Sequence, residues 1–303
     1  MGISSSELES AIHAGEAAER EYKERLLAET KRVLAEIREK HEIGIVLAGR
    51  PYHVDPAVNH SIPDLINQLS MAVLSEDGIA MVGGEYPNLR VMNQWTWHSR
   101  LYRAADYVTR HPHLELVELN SFGCGLDAVV TDQVQEIMHQ RGRLYTCLKI
   151  DQSLNLGAVR IRLRSLKAAI EERGEETGSA KPIEYPKAVF TEAMKRDKDY
   201  TILAPEMSPI HFPIIEAAVQ REGYHIEIIP PIHEDIDKGL SCVNNDACYP
   251  AIITIGSLMR ALTSGKYDLS KTAVMLSQTG GMCRASNYVG FLHKALDLSL
   301  IHI

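Results

Sequence analysis

An α/β protein built as two parallel-sheet halves behind a long helix is the fold class this sequence predicts. Three observations lead there. Short β-rich runs alternate with amphipathic stretches of ten or more residues from residue 43 onward. The alternation resumes after a polar stretch ending near residue 186. A charged, helix-periodic segment precedes both halves. Strands separated by helices of that length form βαβ units, and βαβ units build parallel sheets.

Residues 6–40 predict one helix: Ser6-Glu7-Leu8-Glu9 suits a capping box, and Tyr22, Leu26, Val33 and Ile37 recur at helical spacing. IGIVLA over Ile43–Ala48 is a buried strand leading into Gly49-Arg50-Pro51-Tyr52-His53. A helix over 62–70 and a strand at Met71–Leu74 follow. The stretch 91–108 is expected to be helical, with Trp97, Leu101, Ala104 and Val108 on its apolar face. Leu114–Leu119 and Leu144–Ile150 are strands, with a helix between them and a basic helix over 157–172 after them. RGEETGSAKPIEYP then carries the Gly and Pro of a connection. In the second half, strands are expected at Tyr200–Leu203, His225–Ile229 and Ala273–Ser277. Helices are expected over 211–222, 250–264 and 285–298, the first stopping at Gly223 and the second opening at Pro250. The resulting division is an N-terminal helical segment (1–41), a first α/β domain (42–175), a linker (176–186) and a second α/β domain (187–303). Both α/β domains are expected to be flavodoxin-like, in the Rossmann-like sense. The repetition is one of elements, with no residue-level repeat.

Composition excludes several functions. Hydrophobic residues make up 45% and charged residues 24%, the balance of a globular domain. No apolar run reaches the roughly 18 residues of a membrane span. The polar, acidic N-terminus is neither a signal nor a transit peptide, so a cytoplasmic location is expected. A net charge of −8 opposes nonspecific nucleic-acid binding, which needs basic patches. Five cysteines are too few and too scattered for a disulfide framework.

Three of those cysteines share a context. Cys124 lies in Ser121-Phe122-Gly123-Cys124-Gly125 after the strand LELVELN; Cys248 lies in Asn244-Asn245-Asp246-Ala247-Cys248-Tyr249-Pro250; Cys283 lies in Gly280-Gly281-Met282-Cys283-Arg284. Each is expected between a strand's carboxyl end and a helix start, where open parallel sheets bind ligands. Helix N-termini suit thiolates, and neighbouring glycines let backbone amides approach sulfur. Arg284 adds positive charge beside Cys283. Three thiolates from separate loops would hold one iron–sulfur cluster, leaving an iron open to Ser121, water or substrate. Three buried cysteines without metal, or a zinc site completed by His53, are the competing readings, and the absence of CxxC spacing keeps both open. Cys242, six residues before Cys248 in an expected strand, is a further candidate ligand, whereas Cys147 within LYTCLKI reads as core.

The segments GIVLAGRPYHVDPAVNHSIP, LNSFGCGLDAVVTDQVQEI, CLKIDQSLNLGAVRIRLRSL, VNNDACYPAIITIG and LSQTGGMCRASNY resemble the acyl-CoA dehydratase activase-related proteins. These are similar to the 2-hydroxyglutaryl-CoA dehydratase subunits and the double-cubane-cluster reductases. The resemblance runs from about residue 43 to 295 and leaves the N-terminal helix outside. It implies an Fe–S protein, with a [4Fe-4S] or larger cluster, that receives low-potential electrons from an ATP-dependent activator. Dehydratase members of that group make a ketyl radical from a 2-hydroxyacyl-CoA and eliminate water, acting as lyases; reductase members reduce small molecules. The resemblance makes Cys124, Cys248 and Cys283 the cluster ligands, with Asn244, Asn245, Asp246 and Gln278 tuning its potential. It also implies an acyl-CoA or other small substrate and a homo- or hetero-dimer. The chain lacks GxxxxGK[ST] and GxGxxG, so ATP hydrolysis is expected on another protein or domain, and the chain reads as a stand-alone portion of a longer architecture.

Arg50 and His53 follow the first strand. Arg50 suits a phosphate or carboxylate of a CoA-like ligand, and His53 joins Ser121 as a catalytic candidate. A rigid proline turn with a surface histidine is the alternative. Arg160, Arg162, Arg164 and Lys167 read as a solvated or partner-facing helix surface. Beside the redox component stand two other classes, a non-catalytic Fe–S electron-transfer or assembly module and a metal-free flavodoxin-like binding module.

Overall fold

A computed structural model describes residues 2–83, 86–121, 125–151, 155–174, 183–185 and 190–299. Cys124 and most of the expected 176–186 linker lie outside the described residues. Contacts divide the chain into two units: Met1–Pro87, Thr96–Asn120 and Val134–Lys181 form the first, and Asn88–Trp95, Ser121–Gln133 and Pro182–Ile303 form the second.

The first unit opens with α1 (Ser5–Lys40). Its capping box lies two residues earlier than expected. Ser4 holds an extended backbone and accepts from Glu7 N at 3.3 Å, while its own N–H donates to Glu7 Oε2 at 2.9 Å. Ser5 and Ser6 are already helical. Strand β1 (Ile43–Ala48) follows, then the short α2 (Pro56–Asn59), α3 (Ile62–Gln68), β2 (Met71–Ser75) and α4 (Glu76–Val82), the last not anticipated from sequence. α5 (Thr96–Thr109) precedes β3 (Leu114–Ser121), α6 (Gly125–Gln140), β4 (Thr146–Ile150) and α7 (Leu156–Arg173), and residues 125–133 of α6 belong to the second unit. The sheet runs β2-β1-β3-β4, with Ile45 opposite Val73 on one side and Glu115 on the other, in parallel register. This order matches the start of the flavodoxin-like arrangement. Ile45, Ile66, Met71, Val117 and Leu163 belong to its buried core. Glu115 is buried within β3 and tolerated there because Arg143 and Arg173 pair with it.

α5 begins five residues later than the expected 91, for a tertiary reason. Gln133 Oε1 accepts from the backbone N–H groups of Arg90 at 2.8 Å and Val91 at 3.3 Å, and Asn287 Oδ1 accepts from Met92 N at 2.8 Å. Those donors are satisfied by side chains, so nothing draws the segment into a helix.

The second unit contains the short α8 (Glu192–Arg196), β5 (Thr201–Pro205), α9 (Phe212–Arg221), β6 (His225–Ile229), α10 (Glu234–Leu240), α11 (Tyr249–Leu262), β7 (Thr272–Val274) and α12 (Tyr288–Leu298). Its parallel sheet runs β6-β5-β7. Gly223 takes φ +90 just past α9, the left-handed position expected of it. Where a strand carrying Cys242 was expected, the chain instead forms α10 and a turn. The reason is close packing on α11: Gly239 and Gly256 leave room for each helix against the other's carbonyls, and Asp235 pairs with Arg260 at 2.5 Å. Cys248 therefore sits between two helices and does not follow a strand. Among the described residues no helix is long and apolar enough to cross a membrane.

Candidate metal centre

Within the second unit, Cys248 and Cys283 occupy equivalent local positions. Cys248 is the residue before α11, with φ −66 and ψ 144, and Cys283 precedes a 3-10 turn at Arg284–Asn287, with φ −71 and ψ 144. An extended residue before a helical turn leaves the next N–H groups without intrahelical partners. Pro250 in the first turn of α11 removes one donor and fixes the start. Cys283 is exposed, and Cys248 is half-buried.

Both cysteines act on one phenol. Cys248 Sγ and Tyr288 Oη are 3.0 Å apart. Burial, the Cys248 hydrogen bond and the negative charge that Cys248 and Cys283 would carry all push the Tyr288 hydroxyl above its usual range, with Arg284 opposing. Tyr288 therefore stays protonated, and either the phenol or the thiol can donate in this contact. The sequence motif TGGMCRASNY contains Tyr288, but nothing in its spacing marked that residue.

The position next to Cys124 meets the same group. Gly125 opens α6, and a side chain there would collide with Arg284 Nη1. The residue after Cys124 thus lies against the residue after Cys283. Cys124 itself falls outside the described residues. Among those described, no group of three His, Cys, Asp or Glu side chains is placed to hold a metal ion.

The loops that present the thiols are fixed by side chains the sequence suggested for tuning. Asn244 Nδ2 donates to Asp132 Oδ1 at 3.1 Å and Thr131 Oγ1 at 3.3 Å, and its Oδ1 accepts from Asp246 N at 2.9 Å. Gln278 Nε2 donates to Ser286 O, and buried Ser286 donates from Oγ to Gly281 O at 2.9 Å. Asn244 and Gln278 hold backbone in place, while Asn245 is exposed and Asp246 half-buried. Sequence reasoning missed Gln94, whose Nε2 reaches Cys283 O at 3.4 Å. Cys242 is half-buried, 3.4 Å from Ser241 Oγ. Ser121 is half-buried at the end of β3.

The other sequence candidates belong to the first unit. Gly49 takes φ +153, and a Cβ there would clash with His53 Nδ1. His53 is buried, not a surface histidine, and its Nδ1 accepts from Arg50 N at 3.0 Å, which puts the neutral ring's proton on Nε2. Asn59 Nδ2 donates to His53 O at 3.0 Å. Arg50 lies over the Trp97 ring, 5.7 Å from its centroid. Cys147 is half-buried, and burial with the nearby Glu118 pushes its thiol up to about 12. Arg160 reaches Gln68 Oε1 at 3.3 Å and Lys167 reaches Leu69 O at 2.7 Å, so part of that basic row is used within the unit.

Residues 1–79 match the family model described as CoA enzyme activase uncharacterised domain (DUF2229). The match supports an acyl-CoA dehydratase activase-related family and fits a CoA-related activator and dehydratase system. It includes α1, the segment the sequence resemblance had left outside. No curated protein and no solved structure matched the chain.

Proposed function

We propose that the chain is an iron–sulfur redox component of a 2-hydroxyacyl-CoA dehydratase-like system, accepting low-potential electrons from an ATP-dependent activator and acting on a small or CoA-linked substrate. The observation that carries this reading is the Cys248–Tyr288 contact, at a phenol whose ionisation Cys283 and Arg284 also influence, with Gly125 against Arg284. The donor set fits the group: thiols are the soft ligands of iron–sulfur clusters, and a guanidinium and a phenol supply positive charge and a hydrogen bond to an anionic centre. Cys248 and Cys283 would hold the cluster together with Cys124, the neighbour of Gly125. Bound there, the cluster would supply one-electron chemistry, and Asn244, Gln278 and Ser286 would keep the thiol-bearing loops in place. Cys242 is a further ligand only if the cluster is larger than one cubane. The CoA-related family match supports an acyl-CoA partner system, and a cytoplasmic location completes the proposal.

Iron and acid-labile sulfide analysis with a visible spectrum, on anaerobically purified and reconstituted protein, tests it against Cys248→Ala. A brown protein bleached by dithionite, with the colour lost in the variant, is expected. A spectrum that then changes with acyl-CoA indicates a substrate-binding component; one indifferent to ligands indicates an electron-transfer or assembly module. Wild-type protein that stays colourless after reconstitution would leave a metal-free flavodoxin-like binding module.

A further inference from the structure

A cavity of about 420 Å³ opens in the first unit at the carboxyl ends of β1 and β2. Parallel sheets bind ligands at this end, and the volume suits a small organic molecule. Its walls come from three places: the Gly49–Val54 turn after β1, Glu76 and Asp77 after β2, and Arg100 from α5, with Tyr22 of α1 at the rim. Leu47, Val73 and Leu74 contribute apolar surface.

The polar wall is incompletely paired. Glu76 is only 6% exposed, and its Oε1 accepts from Arg100 Nη2 at 2.9 Å. Glu76 Oε2 and Arg100 Nε are both buried without a hydrogen-bond partner. A buried carboxyl–guanidinium contact that leaves one polar atom unused on each side is costly unless something else completes it. Nothing in the cysteine cluster accounts for this arrangement, since these residues all belong to the first unit.

We propose that this cavity binds a small aliphatic monocarboxylate, its anionic head toward Arg100 and the Glu76 carboxyl and its apolar body against Leu47, Val73 and Leu74. The charges favour that class. Burial raises the Glu76 carboxyl to about 8, with Arg100 opposing and Asp77 adding to the rise. At neutral pH Glu76 is then largely protonated, so the Arg100 guanidinium stands beside a neutral carboxyl with its Nε unused. The charged and titratable groups around Glu76 are Arg100 from α5, Asp77 from α4 and Tyr22 from α1, with Arg50 and His53 of the turn after β1 on the same cavity wall. Deprotonation of Glu76 adds a negative charge beside the guanidinium and repels an anionic ligand.

Isothermal titration calorimetry of the full chain with isovalerate, and with isovaleramide as its uncharged isostere, tests the site. Saturable isovalerate binding is expected at neutral pH, with the amide at least about tenfold weaker. Arg100→Gln should weaken isovalerate about tenfold, and Asp77→Asn should tighten it. Above pH 8 wild-type affinity should fall, and Glu76→Gln should remove that fall. No saturable binding by folded wild-type protein overturns the proposal, as does equal affinity for acid and amide. Should Arg100→Gln fail to fold, Asp77→Asn decides, and unchanged or weaker binding there also overturns it. None of these readouts involves iron, so they succeed or fail independently of the cluster.

Discussion

Single residues in this protein carry opposite proton linkages. Glu76 has its folded value raised by burial from 4.5 to about 8, so the folded state holds a proton the unfolded chain has released. That contribution is fully present below 4.5 and is lost as pH rises through about 8. Glu76→Gln should flatten this decline, measured as the wild-type minus variant difference in denaturant midpoint across that window. His98 runs the other way. Burial, with Arg50 nearby, lowers it from 6.5 to about 3, so its contribution is present above 6.5 and lost as pH falls toward 3. The His98 ring should stay neutral at pH 5 in the folded protein, which imidazole NMR titration reads directly. Gly125 is a third residue-scale case. Gly125→Ala should displace Arg284, and its stability cost should shrink in an Arg284→Ala background. Equal costs in the two backgrounds would show that the guanidinium does not set the requirement for glycine.

At the scale of elements, the same residue type has opposite consequences in two helices. Gly256 packs α11 against α10, where an added Cβ would fall 1.9 Å from Asp235 O. Backbone cannot yield as a side chain does, so Gly256→Ala should destabilise the fold by about 3 kcal/mol. Gly15 lies inside α1 with nothing near it. Gly15→Ala should stabilise by up to about 1 kcal/mol, because it removes only unfolded-state freedom. Thermal unfolding of the two variants side by side tests whether helix contact or helix propensity decides.

For the whole molecule, the proposed cluster draws on positions 124, 248 and 283, which are remote in sequence. One shared cluster predicts that Cys124→Ala, Cys248→Ala and Cys283→Ala each lose most of the reconstituted iron, without additivity. Cys147→Ala should retain it, because that thiol is held protonated. Iron lost by thirds would point instead to separate sites. The long helix belongs to this scale as well: residues 2–25 are exposed, yet α1 lies inside the CoA enzyme activase match at 1–79.

The sequence by itself determined the alternation of strands and helices, hence the parallel sheets and the placement of β1 and β6 to the residue. Hydrophobic period and turn residues are local properties, and they survive into the fold where packing agrees with them. It also marked Cys248 and Cys283 as residues preceding helical turns. Only tertiary structure decided the rest. Residues 91–95 lost their expected helix to side chains from residues 133 and 287. The expected strand at Cys242 became a turn after α10 because two glycines let α10 and α11 touch. Tyr288, Gln94 and the Glu76–Arg100 pair acquired their roles from partners distant along the chain. A hydrogen bond or a buried charge depends on what stands opposite in space, and no spacing in the sequence records that.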